Sequence, residues 1–462
     1  MCSVSGLVVV DPSKAKEAAV EFAQLMVRAA DRGRDSHGVE VINEDGTRQS
    51  FKSLGRPGDE LKGWLSSHVT ESTRVLVANN RAEPTTEVVI KKGEGDVQPF
   101  TYGRFVISHN GVIANDSELE KEFEVKKTST IDSSVVAPIL DRAWDGTLEG
   151  LRDLLDKVRG SFALLIGDSL RPDRLVAAVN FKPLYAEFNY DLGAIFLSSL
   201  DDYLPKRGRF RVERVQPYSV VEFKADGSWR RIELLRRAVK RVLVVASGGL
   251  DSTVAATYLV RQGYEVALLH FNYRHKAERR ERESVREVAR RLNVDLVEVD
   301  TDVFKVIGNS PLIDGEVTKD RGGVEGAEFA HEWVPARNLV FVSVAMALAE
   351  ARGYDAVALG VNLEEAGAYP DNEMEFVRLL NSLSPYATGP NRRVDVLMPV
   401  GNLVKHEIVK LGVEIGAPLD ATWSCYEGGE AHCGRCGPCY MRRKAFQVNG
   451  LTDPVKYLQG EL

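Results

Sequence analysis

The segment Arg241-Val-Leu-Val-Val-Ala-Ser-Gly-Gly-Leu-Asp-Ser-Thr253 decides the fold of the second half of the chain. It opens on an apolar, β-branched run, which is typical of a strand buried in a parallel sheet. The glycines that follow permit a tight turn, and helical spacing comes next. Further strands are predicted at Glu265–Phe271 and Val294–Val299, with a helix between them at Arg279–Leu292. This alternation predicts an α/β doubly wound parallel sheet.

The first half of the chain shows a different rhythm, with many short strand-like runs and a few helical stretches. Helices are predicted at Lys14–Arg32 and Ser133–Trp144. The candidate strands are Ser5–Val10, Val75–Ala78, Phe105–Ser108, Phe162–Ile166, Leu175–Val179 and Ala194–Ser198. The pattern predicts a sheet-rich α+β domain. We place the boundary in the polar stretch that follows residue 226, which gives domains at 1–235 and 236–462.

The overall charge gives no argument for a nucleic-acid partner. The 462 residues carry a formal net charge of −7, with 32 basic and 36 acidic residues up to position 235 and 28 and 31 beyond it. This even division predicts no global attraction to phosphate. There is no run of about 18 apolar residues and no secretory signal pattern, so we expect a cytoplasmic protein without a membrane contact.

Four of the five cysteines, Cys425, Cys433, Cys436 and Cys439, lie close together near the C-terminal end of the sequence. Their spacing suits tetrahedral zinc held by four thiolates. A pair of disulfides is the alternative, but the cytosol disfavours it. Four sulfur ligands leave no open position for catalysis, so the sequence predicts a structural Zn²⁺ site within 425–439, with the adjacent His432 as a non-ligand.

The fifth cysteine, Cys2, directly follows Met1. Removal of Met1 would leave Cys2 with both a thiol and an α-amine, whose ordinary pKa is near 8. That amine could accept the thiol proton directly or through a water, so no histidine would be needed. A lone cysteine near a terminus is more often incidental, and its significance depends on the motifs that accompany it.

Five motifs accompany Cys2: Arg32-Gly-Arg-Asp-Ser-His-Gly38, Asn79-Asn-Arg-Ala-Glu-Pro-Thr85, His109-Asn-Gly111 with Asn115, Thr130-Ile-Asp-Ser133, and Arg159-Gly-Ser-Phe162. Through the first half of the chain, their order and spacing resemble the class II glutamine amidotransferases, which have an N-terminal-nucleophile fold of four αββα layers. The resemblance implies a glutaminase in which Cys2 is the nucleophile. It further implies that Arg81 and Asp132 bind glutamine and that Asn110 and Gly111 form the oxyanion hole.

Each of these residues has a plainer interpretation when taken singly. Arg81 also fits a surface ion pair, Asn110-Gly111 a turn, and Asp132 a helix N-cap. The segment after Arg81 departs from the better-known family members, which leaves the roles of its neighbours open.

The string Ser247, Gly248, Gly249, Leu250, Asp251, Ser252 and Thr253 joins a buried strand to a helix. Amides at a helix start favour phosphate, but the Gly-Lys-Ser/Thr ending of a Walker A loop is absent. The string resembles the PP-loop of ATP pyrophosphatases, which have an adenine nucleotide alpha hydrolase-like fold. These enzymes split ATP into AMP and pyrophosphate to activate a carbonyl oxygen. The resemblance implies that the seven residues bind ATP, together with Mg²⁺.

Further motifs follow in the second half: Phe271–Lys276, Val334–Asn338, Gly360–Asn362, Tyr369–Asp371, Ser424–Tyr426 and Arg435–Phe446. With the PP-loop and the cysteines they resemble 7-cyano-7-deazaguanine synthase throughout this half of the chain. That family adenylates 7-carboxy-7-deazaguanine and adds ammonia, giving the amide and then the nitrile. The resemblance implies that Arg337, Asn338 and Lys405 lie near ATP, and Tyr369 and Asp371 near the base. The first motif is two residues shorter than usual between its Tyr and its Arg.

The fusion resembles archaeal proteins of the archaeosine pathway, in which the base is already part of tRNA. The leading hypothesis is therefore glutamine-dependent conversion of the nitrile of 7-cyano-7-deazaguanine in tRNA to an amidine. Ammonia addition to a nitrile loses no oxygen, so a need for ATP is not explained. One alternative is glutamine-fed, ATP-dependent synthesis of free 7-cyano-7-deazaguanine. Another is a catalytically degenerate protein that binds tRNA or a nucleotide.

Two basic stretches are candidates for contact with tRNA phosphates: Arg274–Arg291 and a strip formed by Arg435, Arg442, Arg443 and Lys444. The first contains eight Lys or Arg against four Glu, so it also fits a solvated helix face with Glu–Arg pairs. A homodimer is compatible with the sequence.

Overall fold

The structure, a computed structural model, describes residues 2–82, 93–235, 238–313, 332–366, 369–390 and 392–458. The chain divides into two compact units, Met1–Arg236 and Arg237–Leu462. In the described ranges, no helix is both long and apolar enough to cross a membrane.

The described part of the first unit contains two antiparallel sheets together with α-helices. Its strands are β1 (Ser3–Val9), β2 (Ser36–Asn43), β3 (Arg48–Leu54), β4 (Thr73–Arg81), β5 (Phe100–Tyr102), β6 (Phe105–Ile113), β7 (Gly160–Asp168), β8 (Arg174–Val179), β9 (Tyr185–Asn189), β10 (Ala194–Ser198), β11 (Phe210–Arg214), β12 (Ser219–Lys224) and β13 (Trp229–Glu233). Its helices are α1 (Ala15–Ala29), α2 (Asp59–His68), α3 (Asp116–Glu122), α4 (Val136–Ala143) and α5 (Leu148–Leu155). The strand orders are β11-β9-β10-β1-β4-β2-β3 and β13-β12-β8-β7-β6-β5.

Three apolar cores arrange these elements in four layers. Val77 of the first sheet and Leu165 of the second meet in a core between the sheets. Phe22 of α1 packs on the outer face of the first sheet, and Leu151 of α5 on the outer face of the second. β1 is buried along its whole length, and this includes the polar residues Ser3 and Ser5. The predicted αββα fold is confirmed.

A parallel sheet forms the centre of the second unit. Its strands are β14 (Arg241–Val245), β15 (Glu265–Asn272), β16 (Asp295–Asp300), β17 (Ala356–Leu359) and β18 (Asp395–Leu397). Its helices are α6 (Leu250–Arg261), α7 (Glu278–Leu292), α8 (Val303–Ile307), α9 (Arg337–Arg352), α10 (Leu363–Ala366), α11 (Met374–Ala387), α12 (Lys405–Glu414) and α13 (Gly437–Val448). Among the described strands the order is β16-β15-β14-β17-β18.

Helices cover both faces of this sheet. Val242 and Val244 of β14 pack against α6 and α7, whereas Leu243 packs against α9 on the opposite face. The predicted doubly wound fold is confirmed. The chain moves from β14 to β15 on one side and later to β17 on the other, so a crevice is expected at the carboxyl ends of these strands.

The strands of the first unit that carry polar motifs run longer than predicted. β6 continues through Asn110 and Gly111 to Ile113, and β4 continues to Arg81, so these motif residues lie inside strands and do not follow them. Buried polar side chains cause the error, because polar residues resemble the end of a strand when only hydropathy is considered. The predicted helix at Ser133–Trp144 begins as a 3-10 turn, Asp132–Val135, before α4.

Candidate active sites

The first candidate site surrounds Cys2, which leads into β1 between β4 and β10. The Cys2 thiol is half-buried and lies 4.0 Å from the carbonyl oxygen of Ala82, to which it donates. Burial raises the pKa of the Cys2 thiol, and the charge of Arg81 acts against this effect. A thiol in this environment needs a base to become a nucleophile, which is the task expected of an α-amine on Cys2.

The two residues expected to bind glutamine lie near this thiol. Arg81 ends β4 and is buried, and its charge and that of Asp132 both act on Cys2. Asp132 accepts a hydrogen bond of 2.6 Å at Oδ2 from the amide of Ile113, which ties the 3-10 turn to the end of β6. The structure therefore brings together the Cys2 thiol, a cation and a carboxylate from three separate segments.

Asn110 and Gly111, the expected oxyanion-hole residues, lie on β6 and pair with Ala163 and Phe162 of β7. Asn110 is buried, and its Nδ2 finds no hydrogen-bond partner within the described ranges. A buried donor without a partner is costly, so it indicates a place for a ligand oxygen. Gly111 has a φ of 149°, and a Cβ there would lie 1.8 Å from the carbonyl oxygen of Ser161. This position therefore requires glycine.

Asn79 connects the Asn110 segment to the strand beside Cys2. Asn79 pairs with Val4 of β1, and its Nδ2 donates to the carbonyl oxygen of His109 at 3.1 Å. Lys182 also lies near Cys2, although it was not predicted from the sequence. Burial lowers the pKa of Lys182, and attraction to the Cys2 thiolate acts against this effect. The only sequence signal was its place shortly after β8.

The second candidate site lies at the carboxyl end of β14, where the predicted PP-loop turns into α6. Gly248 has a φ of 76°, and a Cβ there would lie 2.7 Å from the carbonyl oxygen of Glu281. The Ser247 hydroxyl accepts the Gly249 amide at 3.1 Å. The carbonyl oxygen of Gly248 accepts the Trp423 amide at 2.9 Å. The loop is thus held in a fixed shape with the amides of the α6 N-terminus beside it, which suits phosphate.

Lys405 is the central cation of this site. Its Nζ lies 2.6 Å from Asp251 Oδ2 and 3.0 Å from Glu365 Oε1, and all three side chains are largely buried. Asn362 donates to the same Asp251 oxygen at 2.9 Å. Burial lowers the pKa of Lys405, but the charges of Asp251 and Glu365 outweigh it and raise that pKa above its ordinary value. Lys405 is therefore a permanent cation beside the loop at neutral pH.

Arg337 and Asn338 begin α9 on the other side of the same cavity. Arg337 contacts Tyr273 and interacts electrostatically with Asp371. Asn338 Nδ2 donates a hydrogen bond to Asn372 Oδ1 at 3.0 Å. The Tyr369 hydroxyl lies 3.3 Å from Glu332 Oε2. Tyr369 and Asp371 are thus neighbours of the Arg337 cluster, but they do not line the cavity itself.

Most of the predicted ATP residues line the cavity, whereas Gly248 and Thr253 do not; the lining residues are Ser247, Gly249, Leu250, Asp251, Ser252, Arg337, Asn338 and Lys405. The cavity is also lined by Glu365, His270 and Glu281, which were not predicted from the sequence. A histidine within the otherwise apolar run of β15 was the available signal for His270. For Glu365 the signal was its place just after β17, because side chains after parallel strands gather at one edge.

The four clustered cysteines form a third site. Their sulfurs lie within 4.8 Å of one another, and Cys425, Cys436 and Cys439 are buried. Tetrahedral zinc with bonds of about 2.3 Å needs sulfurs about 3.8 Å apart, so a small contraction would fit the ion. The amides of Arg435 and Cys436 donate to the Cys433 sulfur at 3.4 and 3.3 Å, as expected for a thiolate. His432 is engaged with the Ser424 amide at 3.1 Å.

Many arginines in the basic stretches proposed to bind tRNA form ion pairs with acidic side chains of this chain. The α7 arginines pair with acidic neighbours: Arg279 with Glu283, Arg282 and Arg286 with Glu298, Arg290 with Glu287, and Arg291 with Glu287 and Asp420. This favours the solvated helix face. Arg442 is 1% exposed and bonds to Asp453 and to the carbonyl oxygen of Leu419, so its inclusion in a phosphate-binding strip is wrong.

Comparison with known proteins agrees with this division into two units. A family model described as queuosine biosynthesis protein QueC matches residues 241–450, and one described as glutamine amidotransferase domain matches residues 85–205. The 7-cyano-7-deazaguanine synthase 2 of Sulfurisphaera tokodaii is 60% identical over 99% of this chain and 100% of its own length. The 7-cyano-7-deazaguanine synthase of Sulfolobus acidocaldarius is also 60% identical, over 99% and 100%. That of Nitratiruptor sp. is 37% identical, over 47% of this chain and 98% of its own length.

The two units define an enzyme in which a glutamine amidotransferase domain is fused to an ATP-dependent, PP-loop synthase domain. The chain belongs to the 7-cyano-7-deazaguanine synthase family, in the fused form that spans the full length of its Sulfurisphaera and Sulfolobus relatives. The alternative of a catalytically degenerate binding protein finds no support.

Replacement of Gly111 by Ala is expected to reduce glutamine hydrolysis by at least about 100-fold, the size of effect seen when an oxyanion donor is lost. The new Cβ would displace β6 from β7, because it falls 1.8 Å from Ser161 O. Glutamate release measures the effect. Gly63→Ala is the control, since nothing lies within 4 Å of its Cβ. Equal activity in the two variants would show that Gly111 has no such role.

Replacement of Lys405 by Met is expected to lower AMP and pyrophosphate release by about 100-fold or more. It leaves the buried carboxylates of Asp251 and Glu365 without their cation, which also costs roughly 3–5 kcal/mol of stability. A lower melting temperature should accompany the loss. Lys410→Met changes an exposed lysine of the same helix and should retain activity. ATP turnover at the unmutated rate in Lys405→Met would refute the assignment.

The cysteine cluster is expected to hold one zinc ion per chain, measurable by elemental analysis. Cys436→Ser should reduce the zinc content by most of its value, because Cys436 is buried within the cluster. It should also lower the melting temperature, since structural zinc contributes folding free energy. Cys2→Ser removes the fifth cysteine and should leave the zinc content unchanged. Full zinc occupancy in Cys436→Ser would count against a four-cysteine site.

Proposed function

We propose that this enzyme uses glutamine as its nitrogen source and adds the ammonia to a 7-deazaguanine carboxylate that ATP has activated. The product is the nitrile, 7-cyano-7-deazaguanine. The observation that supports this most directly is the buried Lys405 ammonium beside the PP-loop, held by Asp251 and Glu365. A buried cation beside such a loop is expected at a site that binds ATP, and the same chain also carries the proposed glutaminase nucleophile.

The first half-reaction is amide hydrolysis at Cys2. After removal of Met1, the α-amine accepts the thiol proton and the thiolate attacks the glutamine carboxamide. The unpartnered Asn110 Nδ2 and the Gly111 amide stabilise the oxyanion, and Arg81 and Asp132 hold the α-carboxylate and α-ammonium. Collapse of the intermediate breaks the C–N bond and releases ammonia, which takes the proton from the α-amine. Water then hydrolyses the thioester to glutamate.

The second half-reaction removes oxygen from the acceptor. A carboxylate does not react with ammonia, because its oxygen is a poor leaving group. Attack of the carboxylate on the α-phosphorus of ATP expels pyrophosphate and makes an adenylate, and ammonia then displaces AMP to give the amide. A second ATP is attacked by the amide oxygen with loss of pyrophosphate, and departure of AMP together with the two protons of the amide nitrogen leaves the nitrile. Asp251 Oδ1 is buried and finds no hydrogen bond within the described residues, so it is the atom we assign to Mg²⁺.

The base is expected to lie near the opening of α9. Arg337 is half-buried and is the cation we assign to the substrate carboxylate, while Tyr369 and Trp333 offer aromatic faces with ring centroids 6.3 Å apart. Asp371 and Glu332 supply carboxylates nearby, which match the donor edge of a guanine-type base. These residues would recognise the base itself, whereas the ATP-binding features around Lys405 are what favour the carboxylate as the acceptor.

A second candidate is the conversion of 7-cyano-7-deazaguanine in tRNA to archaeosine. One observation favours it: the relative from Nitratiruptor carries the synthase name on a chain that corresponds to only 47% of this one. The glutaminase unit is therefore an addition to that shorter form, and an added ammonia source suits an added reaction. Against it, a nitrile accepts ammonia without losing oxygen, and the paired α7 arginines offer little to phosphate.

The test supplies glutamine and ATP with either free 7-carboxy-7-deazaguanine or tRNA that bears the nitrile, followed by mass spectrometry of the base. We expect the free nitrile, formed only with ATP. Cys2→Ala should abolish the reaction with glutamine but preserve it with ammonium salts. An amidine in tRNA, with the free acid left unchanged, would select the second candidate. No product from either acceptor, despite glutamate release, would refute both.

A further inference from the structure

His270 is a buried polar residue in the ATP cavity with no role in the reaction as described so far. It lies in the apolar run of β15 and is 1% exposed. β15 is the direct neighbour of β14, and His270 lines the same cavity as Ser247, Arg337 and Lys405. Burying a polar nitrogen without a hydrogen bond costs free energy, so the partner of each imidazole nitrogen has to be identified.

The hydrogen bond at one nitrogen decides the state of the other. His270 Nδ1 lies 2.8 Å from the carbonyl oxygen of Ala246, the residue just before the PP-loop. A carbonyl oxygen can only accept, so Nδ1 carries the hydrogen and donates it. The neutral ring therefore has its lone pair on Nε2. That atom is buried and finds no hydrogen-bond partner within the described residues.

Glu281 supplies the charge that a proton on His270 would require. Its carboxylate lines the cavity, and its Oε2 lies 3.2 Å from His275 Nε2. Burial acts to raise the pKa of Glu281, but His275 and, to a smaller extent, His270 lower it below its ordinary value. A carboxylate beside an imidazole stabilises the positive charge that the ring gains when it takes up a proton. The other charged or titratable groups around the cavity are Asp251, Tyr273, Arg337, Glu365, Lys405, Tyr426 and Arg442.

We propose that His270 Nε2 is the proton acceptor for the attack of ammonia on the adenylate. The ammonia lone pair forms the C–N bond, and the C–O bond to AMP breaks with its electron pair kept by the phosphate oxygen. The nitrogen, positively charged after attack, loses one proton, and Nε2 takes it. The amide and AMP leave, and the imidazolium later returns the proton to water. Glu281 and Ala246 position the ring.

The inference rests on the proposed function, because it assigns a residue to the second chemical step of that reaction. It makes a specific demand: loss of Nε2 should impair the ammonia step and spare the adenylation step. A residue that merely fills the core, or that binds ATP, would affect both steps together or would change the KM for ATP.

His270→Asn is the informative variant. The Asn amide can reach the position of Nδ1 and continue to donate to Ala246 O, whereas nothing replaces Nε2. Isotope exchange between pyrophosphate and ATP, measured with 7-carboxy-7-deazaguanine and without ammonia, reports adenylate formation. We expect this exchange to stay within about threefold of the unmutated enzyme. Amide formation at saturating ammonium should fall by about 100-fold, a normal contribution for a general base.

Hydroxylamine tests the proton transfer directly. Its conjugate acid is much more acidic than ammonium, so its adduct loses a proton without help. The defect of His270→Asn should therefore be several-fold smaller with hydroxylamine than with ammonia. His406→Gln, an exposed histidine of the same unit, is the control and should match the unmutated enzyme in every assay.

The outcomes separate the two claims. An equal loss of exchange and of amide formation, no loss of either, or the same defect with both nucleophiles would overturn the role of His270. Absence of exchange in the unmutated enzyme would instead overturn the proposed function on which it rests. Full exchange in His270→Asn also shows that the variant is folded.

Discussion

A buried ammonium organises the second unit. Lys405 begins α12, and its two carboxylate partners lie on α6 and α10, segments that follow different strands of the sheet. Asn362 and Asn372 extend this contact, the first to Asp251 and the second to Glu365. Two buried carboxylates so close together need a cation between them. Lys405 therefore stabilises the buried acidic side of the cavity, beside the loop that is expected to bind phosphate.

In the first unit, buried polar side chains connect the elements that surround Cys2. Asn79 donates to Ser108 Oγ and to His109 O, so it joins the two sheets near the point where Cys2 enters β1. Asn80, its neighbour on the opposite face, donates to the carbonyl oxygen of Met26 in α1. These amides fix strands, helix and nucleophile with respect to each other, which a purely apolar interface would do less specifically.

Much of the fold was predictable from the sequence, because both units rest on patterns that are local. The run of β14, the glycines after it and the cysteine spacing each specify a structure within one short, continuous segment. The residues that were missed depend on contacts between distant segments. Glu365 matters because it meets Lys405, 40 residues away, and His270 because its ring reaches Ala246, 24 residues away.

Burial was the other limit of prediction. Arg442 looks like part of a basic surface in the sequence, but it is enclosed and paired with Asp453. Asn110 looks like part of a turn, but it lies inside β6 because the partner strand β7 pairs along its full length. Neither outcome follows from hydropathy, since both depend on which distant segment covers the side chain.

The cysteine cluster lies next to the cavity of the second unit, so a metal ion bound there would affect that unit alone. Ser424 and Tyr426, on either side of Cys425, line the nucleotide cavity, and Trp423 holds the PP-loop through the Gly248 carbonyl. Loss of a metal ion held by these cysteines would therefore remove the support of that wall, whereas the first unit contains none of these residues. Metal depletion is expected to stop the synthase reaction and to leave glutamine hydrolysis running without an acceptor for its ammonia.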